Sequence, residues 1–318
     1  MTTTDNLHVV LGATGGVGSA VVRALVAQGK SVRAVTRTGT GVEQQGVECR
    51  SGDISNLETA RSVCDGAAVV YFCANPPYNT WPQLFPPMLA GAIAGASATS
   101  AKLIAADNLY VYAPTTQPMT EDLPMAPITR KGKVRAAMDA TLLAAHRVGT
   151  VRAAIGRASD FYGPGALNAT VGGSRFFKAL LAGKPVEWLG RLDVPHSFSY
   201  IEDFGRGLVT LGAHEAALGQ AWHIPAAEPL TGQQMLAMLF AEAGITAKIT
   251  RITPALLRLA GIFNPMAHEM QEMIYEFTAP YIIDGTKFTR AFGGTPTSHQ
   301  VAVRATVAWF KQQHALHA

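Results

Sequence analysis

A chain of 318 residues, 48% of them hydrophobic, is long enough to bury one large core or two interleaved ones. Its formal charge is only +4 and its basic residues are scattered without runs, which argues against a nucleic-acid surface. Cys49, Cys64 and Cys73 lack C-x-x-C spacing, which excludes a disulfide scaffold and suits a reducing, cytoplasmic setting.

The polar start ahead of Leu7 shows no secretory pattern. Leu7–Leu11 reads as a strand that stops at Gly12-Ala13-Thr14-Gly15-Gly16-Val17-Gly18. Val17, Ala20, Val21, Ala24 and Leu25 then fall at helical spacing, up to a stop at Gly29. Gly12 allows a tight turn, Gly15 leaves room for a pyrophosphate, and Gly18 lets helix and sheet pack closely. The helix start offers unpaired N–H groups to the phosphates. Gly12, Thr14, Gly15, Gly16, Val17 and Gly18 are therefore the expected dinucleotide cradle.

Ser31–Thr36 reads as a second strand. No acid stands at its end to bond a ribose 2′-hydroxyl; Arg37 does, with Arg33 earlier. A guanidinium suits a 2′-phosphate, so NADP(H) is expected ahead of NAD(H). The plainer reading is that both arginines are only solvated. After the Val47–Arg50 strand, Asp53 with Ile54 is placed to meet the adenine, or to cap a helix starting near Ser55–Leu57. Ala67–Cys73 is apolar throughout, as a buried parallel strand should be. Ligands bind beyond the carboxyl ends of such strands. Ala74 is thus expected beside the cofactor, and Asn75, Tyr78 and Trp81 as a wall over the substrate.

The stretch Met88–Ala101 is built of small residues and falls short of the roughly 20 residues of a membrane span. A strand at Lys102–Ala106, a loop at Thr115–Pro127, a helix at Lys131–His146 and a strand at Val151–Ile155 follow. Beyond residue 165 the strand–helix alternation weakens. Helices are expected at Phe176–Ala182, from Glu202-Asp203 to Leu211, and from Thr231 to Gly244. Further helices are expected at Pro254–Gly261, Ala267–Thr278 and Val301–Gln313. Short extended segments are expected at Val186–Leu189, His196–Ile201, Gln220–Pro225 and Lys248–Ile252. The predicted fold is α/β, a doubly wound parallel sheet with a smaller C-terminal substrate-binding region. Residues 1–165, with 196–226 returning, form the dinucleotide domain. Residues 166–195 and 227–300 form the substrate region, and 301–318 a terminal helix.

The nine histidines offer no metal-ligand pair near acids or cysteines, and His314 and His317 lie at the chain end. His196, His223 and His268 read as structural, and Tyr200, Trp188, Trp222 and Phe263 as core. No serine sits on a nucleophile elbow.

Together these motifs resemble an extended-type short-chain dehydrogenase/reductase, related to NAD-dependent epimerases and dehydratases. The glycine motif matches that family's G-x-x-G-x-x-G. Phe161-Tyr162-Gly163-Pro164-Gly165 matches its "YGPG", and His196–Asp203 is similar to its "R-D-F-x-x-V-D-D". The segment Gly219–Leu236 is similar to its "G-x-x-Y-N-I…P-x-(T/S)". The departure lies in the Tyr-x-x-x-Lys pair, whose positions hold Lys131 and Arg135. A slip of two would pair Thr129 with Lys133, still without a tyrosine. Asn108 stands in for the upstream serine.

The resemblance implies that Asn108 orients a substrate oxygen and that Arg135 holds the ribose or an anionic substrate. It places Tyr162 against cofactor and substrate, and implies a homodimer through helices 88–101 and 131–146. For the proton, three assignments stay open. A buried lysine titrates lower and can move a proton, which suits Lys131. Tyr110, Tyr78 or Tyr162 can instead supply a hydroxyl. In the third assignment no group moves a proton, and the protein only senses the dinucleotide. The expected activity is hydride transfer between NADP(H) and a small carbonyl, alcohol or activated alkene. A sugar-nucleotide epimerase or dehydratase is the further alternative, with Arg175, Lys178, Lys184 and Arg191 available for a diphosphate.

Overall fold

The computed structural model describes residues 7–42 and 44–316; His317 and the segment ahead of Leu7 lie outside them. β1 (Leu7–Leu11) feeds α1 (Gly16–Ala27), then β2 (Ser31–Thr36), β3 (Val47–Ser51), α2 (Leu57–Cys64) and β4 (Val69–Phe72). After a one-turn 3₁₀ segment at Tyr78–Thr80 come α3 (Trp81–Ala98), β5 (Lys102–Asn108), α4 (Arg130–Arg147), β6 (Arg152–Ala158) and β7 (Asp160–Tyr162). The chain continues with α5 (Ser174–Leu181), β8 (Val186–Leu189), β9 (Pro195–His196), β10 (Phe198–Tyr200), α6 (Ile201–Ala213) and β11 (Ala221–His223). It ends with β12 (Leu230–Thr231), α7 (Gly232–Ala243), β13 (Ile249–Ile252), α8 (Pro254–Gly261), α9 (Pro265–Gln271), α10 (Thr286–Phe292) and α11 (His299–Leu316).

Two compact units share the chain evenly. Unit 1 comprises Met1–Val111, Lys131–Arg157 and Phe204–Ile224; unit 2 comprises Tyr112–Arg130, Ala158–Asp203 and Pro225–Ala318. Residues 112–130, 158–165 and 196–203, given to the dinucleotide domain by the sequence, fall in unit 2. The weak strand–helix alternation hid how often the chain passes between units.

Unit 1 is built on a seven-stranded parallel sheet in the order β11-β6-β5-β4-β1-β2-β3. Val9, Val10 and Leu11 are fully covered, as expected of a parallel strand with helices on both faces. Each such side chain contributes on the order of 2 kcal/mol on burial. The strand order reverses between β1 and β4, which opens a crevice at their carboxyl ends.

Unit 2 has three two-stranded pairings, β10 with β7, β12 with β9 and β13 with β8. Its core includes Phe177 stacked on Phe310 at 4.2 Å, with Trp188, Phe198 and Leu239 buried around them. Two expectations fail here, and one element is new. Ala267–Thr278 is not one helix: α9 ends at Gln271, and a 3₁₀ turn follows at Ile274–Phe277. α10 has no counterpart in the sequence reading, because Phe288 is its one buried residue. Phe263, read as core, is 86% exposed.

Candidate dinucleotide and active site

The turn after β1 is held by backbone bonds. The Gly12 and Ala13 N–H groups both donate to the Val35 carbonyl, at 3.0 and 3.3 Å. Gly12 has φ +85°, and a Cβ there would lie 2.6 Å from Ala74 Cα at the end of β4. A Cβ on Gly18 would lie 2.2 Å from the Gly12 carbonyl oxygen. These two positions exclude side chains because of the protein itself. Gly15 is different: its φ is −69°, and a Cβ would meet only the Gly12 oxygen, at 3.4 Å. Gly15 is the N-cap of α1, has no side-chain cap and has no acid in the first turn behind it. The first N–H groups of α1 therefore lie open beneath exposed Thr14 and Gly15. Half-buried Gly16 and Val17 complete the turn. A pyrophosphate fits this cradle in charge and in room.

Arg37 is exposed at the end of β2. The loop after it returns to the cradle, since a Cβ on Gly41 would meet Thr14 Cγ2 at 2.9 Å. Asp53 follows β3. The Ser55 hydroxyl and N–H lower its carboxyl below the usual range, and the Arg37 charge adds to this. Asp53 does not cap α2: Asn56 Oδ1 accepts the Thr59 N–H at 2.9 Å. Ile54 beside it is buried. Arg33 is not a phosphate ligand in waiting. Its Nε donates to Glu48, and its Nη1 donates to the Val63 and Asp65 carbonyls at the end of α2.

At the carboxyl ends of β4 and β5, the structure gathers four of the expected residues. Tyr78 and Tyr110 hydroxyls lie 3.0 Å apart. Lys131 Nζ sits 5.1 Å from the Tyr78 ring centroid and the residue is 2% exposed. Asn108 Oδ1 accepts the Tyr110 N–H, which fixes the turn that carries Tyr110. Trp81 is not part of an exposed wall. It opens α3, is 1% exposed, and stacks behind Tyr78 at 4.8 Å.

Arg135 also departs from expectation. Its guanidinium lies over the Trp81 and Phe85 rings, at 4.6 and 4.2 Å. Nε faces Asp107 at 3.3 Å, Nη1 donates to the Ala106 carbonyl, and Nη2 donates to Asn75 Oδ1 at 3.3 Å. This cation is enclosed by protein groups and is turned away from the ribose role. Sequence reading missed the rest of the cluster. Arg157 pairs with Asp139 and reaches Asp107 at 4.0 Å. Burial, then the neighbouring Asp107, raises the Asp139 carboxyl well above its usual range. The available signal was Asp139 sharing one helical face with Arg135, Met138 and Leu142.

Tyr162 lies in unit 2 and is 1% exposed, its hydroxyl 2.9 Å from His299 Nδ1. Burial raises its pKa, with Asp203, Tyr200 and Glu228 adding to the shift. A hydroxyl so enclosed is not one that meets cofactor or substrate.

Residues 12–142 match the family described as NAD(P)H-binding, and residues 88–224 match the NAD dependent epimerase/dehydratase family. No curated protein matches it. Among solved structures, it is similar to UDP-glucuronic acid 4-epimerase from Bacillus cereus, crystallised with UDP-glucuronic acid and NAD. The identity is 19%, with 96% of this chain and 99% of that one covered and a TM-score of 0.77. It is also similar to dTDP-glucose 4,6-dehydratase from Bacillus anthracis in complex with NAD, at 16% identity, 98% coverage of each chain and TM-score 0.79. An epimerase from Methanothermobacter thermautotrophicus gives 16% identity, 98% and 94% coverage and TM-score 0.81. At these identities the likeness is one of fold. Among the described residues, no helix is long and apolar enough to cross a membrane. Nor do they include a His/Cys/Asp/Glu cluster suited to a metal ion.

Proposed function

We propose that this protein is an NADP(H)-dependent oxidoreductase acting on a small carbonyl, alcohol or activated alkene. The observation that carries the reading is the uncapped α1 start at a glycine-rich turn, with exposed Arg37 following β2. The bound dinucleotide would supply or accept the hydride. The Gly12–Gly18 turn would hold its pyrophosphate, Arg37 the 2′-phosphate, and Asp53 the adenine. Asn75 and Tyr78 would face the substrate. Asn108 sets the Tyr110 backbone, and Tyr110 with Lys131 would hold the proton that the substrate oxygen exchanges. Arg135 acts behind them by fixing Asn75 and Trp81.

The test is turnover of aldehydes, ketones and enones with NADPH and with NADH. Turnover with a preference for NADPH supports the reading. Tighter NADH binding removes the Arg37 argument, and NADPH binding without turnover favours a dinucleotide sensor. The solved relatives that bind sugar nucleotides suggest an epimerase instead. Two of the cations held in reserve for a diphosphate are committed, however: Arg175 to Glu187 and Arg191 to Asp193.

We further propose that the protein works in the reducing cytoplasm, since all three cysteines are free. A second copy would cover the apolar hollow of about 900 Å³ beside Leu89, Ile93, Val134 and Met138 on α3 and α4. Ile93→Glu should then turn a dimer into a monomer in sedimentation.

A further inference from the structure

We propose that Tyr78 delivers the proton to the substrate oxygen, with Tyr110 behind it as the reservoir and Lys131 as the supporting charge. This rests on the oxidoreductase reading. Tyr78 comes from the turn after β4, and Tyr110 from just beyond β5, the adjacent parallel strand. Their hydroxyls touch at 3.0 Å. Exposure orders the three groups: Lys131 at 2% and Tyr110 at 9% lie inside, and Tyr78 is the half-buried one that an incoming ligand meets.

The turn that carries Tyr78 is fixed in place. The Thr80 hydroxyl donates to the Pro77 carbonyl at 2.8 Å, and Trp81 Nε1–H to the Pro76 carbonyl at 2.9 Å. Trp81 in turn packs against both Tyr78 and the enclosed Arg135 guanidinium. In the reductive direction the dinucleotide, when bound, would supply the hydride to the carbonyl carbon, which leaves the π pair on oxygen. The Tyr78 O–H bond breaks and its proton joins that oxygen. Tyr78 recovers a proton from Tyr110, and after product leaves the pair takes one back from solvent through half-buried Tyr78. An ammonium beside the phenol pair stabilises the charge left between these transfers. Oxidation runs the same steps backwards.

Two readouts test this on the full chain. With NADPH and a substrate that the wild type reduces, Tyr78→Phe should lower kcat by about 100-fold or more. It should leave NADPH affinity and the melting temperature unchanged. Tyr110→Phe should lower kcat less and move the alkaline limb of its pH profile. In the cofactor-free protein, a tyrosinate absorbance titration should lose the same shared transition in both variants, and Lys131→Met should shift that transition upward. Full activity in Tyr78→Phe, or a titration unchanged by it, overturns this proposal alone. A wild type with no turnover on any carbonyl or enone overturns the oxidoreductase reading, and this proposal with it.

Discussion

At the start of α7, Thr231 Oγ1 accepts the Gln234 N–H at 3.2 Å, and Gln234 Oε1 accepts the Thr231 N–H at 2.8 Å. The helix supplies its own partners for donors that have none within it. At the start of α1, the same position holds Gly15 and no side chain caps anything. Both helices are 12 residues long, and both need those donors satisfied. One start is closed by its own sequence. The other carries no cap of its own, and on the reading proposed above it takes an anion from outside, with the adjoining Gly12 and Gly18 keeping side chains out of the turn. A glycine at a helix start is thus informative by its surroundings: Gly18 is dictated by the Gly12 oxygen 2.2 Å from its missing Cβ, whereas Gly15 is dictated by nothing in the protein.

The sharpest way to break this contrast is to close the α1 start. Gly15→Asp gives the helix a side-chain cap of its own at a backbone geometry that any residue adopts. The unliganded protein should melt no lower than wild type. NADPH affinity should fall by about 1,000-fold, or ~4 kcal/mol, because a carboxylate occupies the pyrophosphate space. Fluorescence titration reads this directly, and retained affinity would show that the phosphates sit elsewhere.

A second prediction concerns β1, which presents the open start. His8 is buried with Nδ1 3.2 Å from the Tyr71 hydroxyl. Burial, then the Lys30 and Lys102 charges, lowers its pKa from 6.5 to about 4. The folded state keeps a neutral ring where the unfolded chain has already bound a proton. Its contribution to stability is complete above pH 6.5 and is lost as pH falls towards 4, by roughly 3 kcal/mol. His8→Asn should flatten the melting temperature against pH across that window. An unchanged acid slope would place the loss on another group.

What the sequence disclosed follows from which forces are local. β1, β2, β8 and α8 were read to the residue, because apolar period and glycine punctuation are written along the chain, whereas α3 begins at Trp81, seven residues ahead of the expected Met88. The glycine turn between β1 and α1 was legible for the same reason. Charged side chains were not. Arg33, Arg135 and Lys131 read as cations free to meet a ligand. Glu48 and two helix-end carbonyls hold the first, and Asp107 with two aromatic rings encloses the second. The third lies buried against Tyr78. Where a long side chain points depends on partners as distant as residues 135 and 75, and no local pattern records that.

Arg37 gives a smaller effect on the open side of the comparison. Arg37→Ala should cut the preference for NADPH over NADH by about tenfold, since one exposed charge-assisted contact is lost. NADH affinity should stay as it was. A parallel loss of both cofactors would mean that the residue shapes the loop beside Thr14, and does not read the phosphate.

The smallest effect lies on the closed side. Thr231→Ala removes the acceptor for the Gln234 N–H and ends the reciprocal pair at the start of α7. The cost should be about 1 kcal/mol, read as a lower urea midpoint with an unchanged slope. NADPH affinity should not move, because this cap serves only the helix that carries it. A loss of affinity in Thr231→Ala would mean that a self-closed helix start also serves the ligand, and the contrast between α1 and α7 would no longer separate binding from folding.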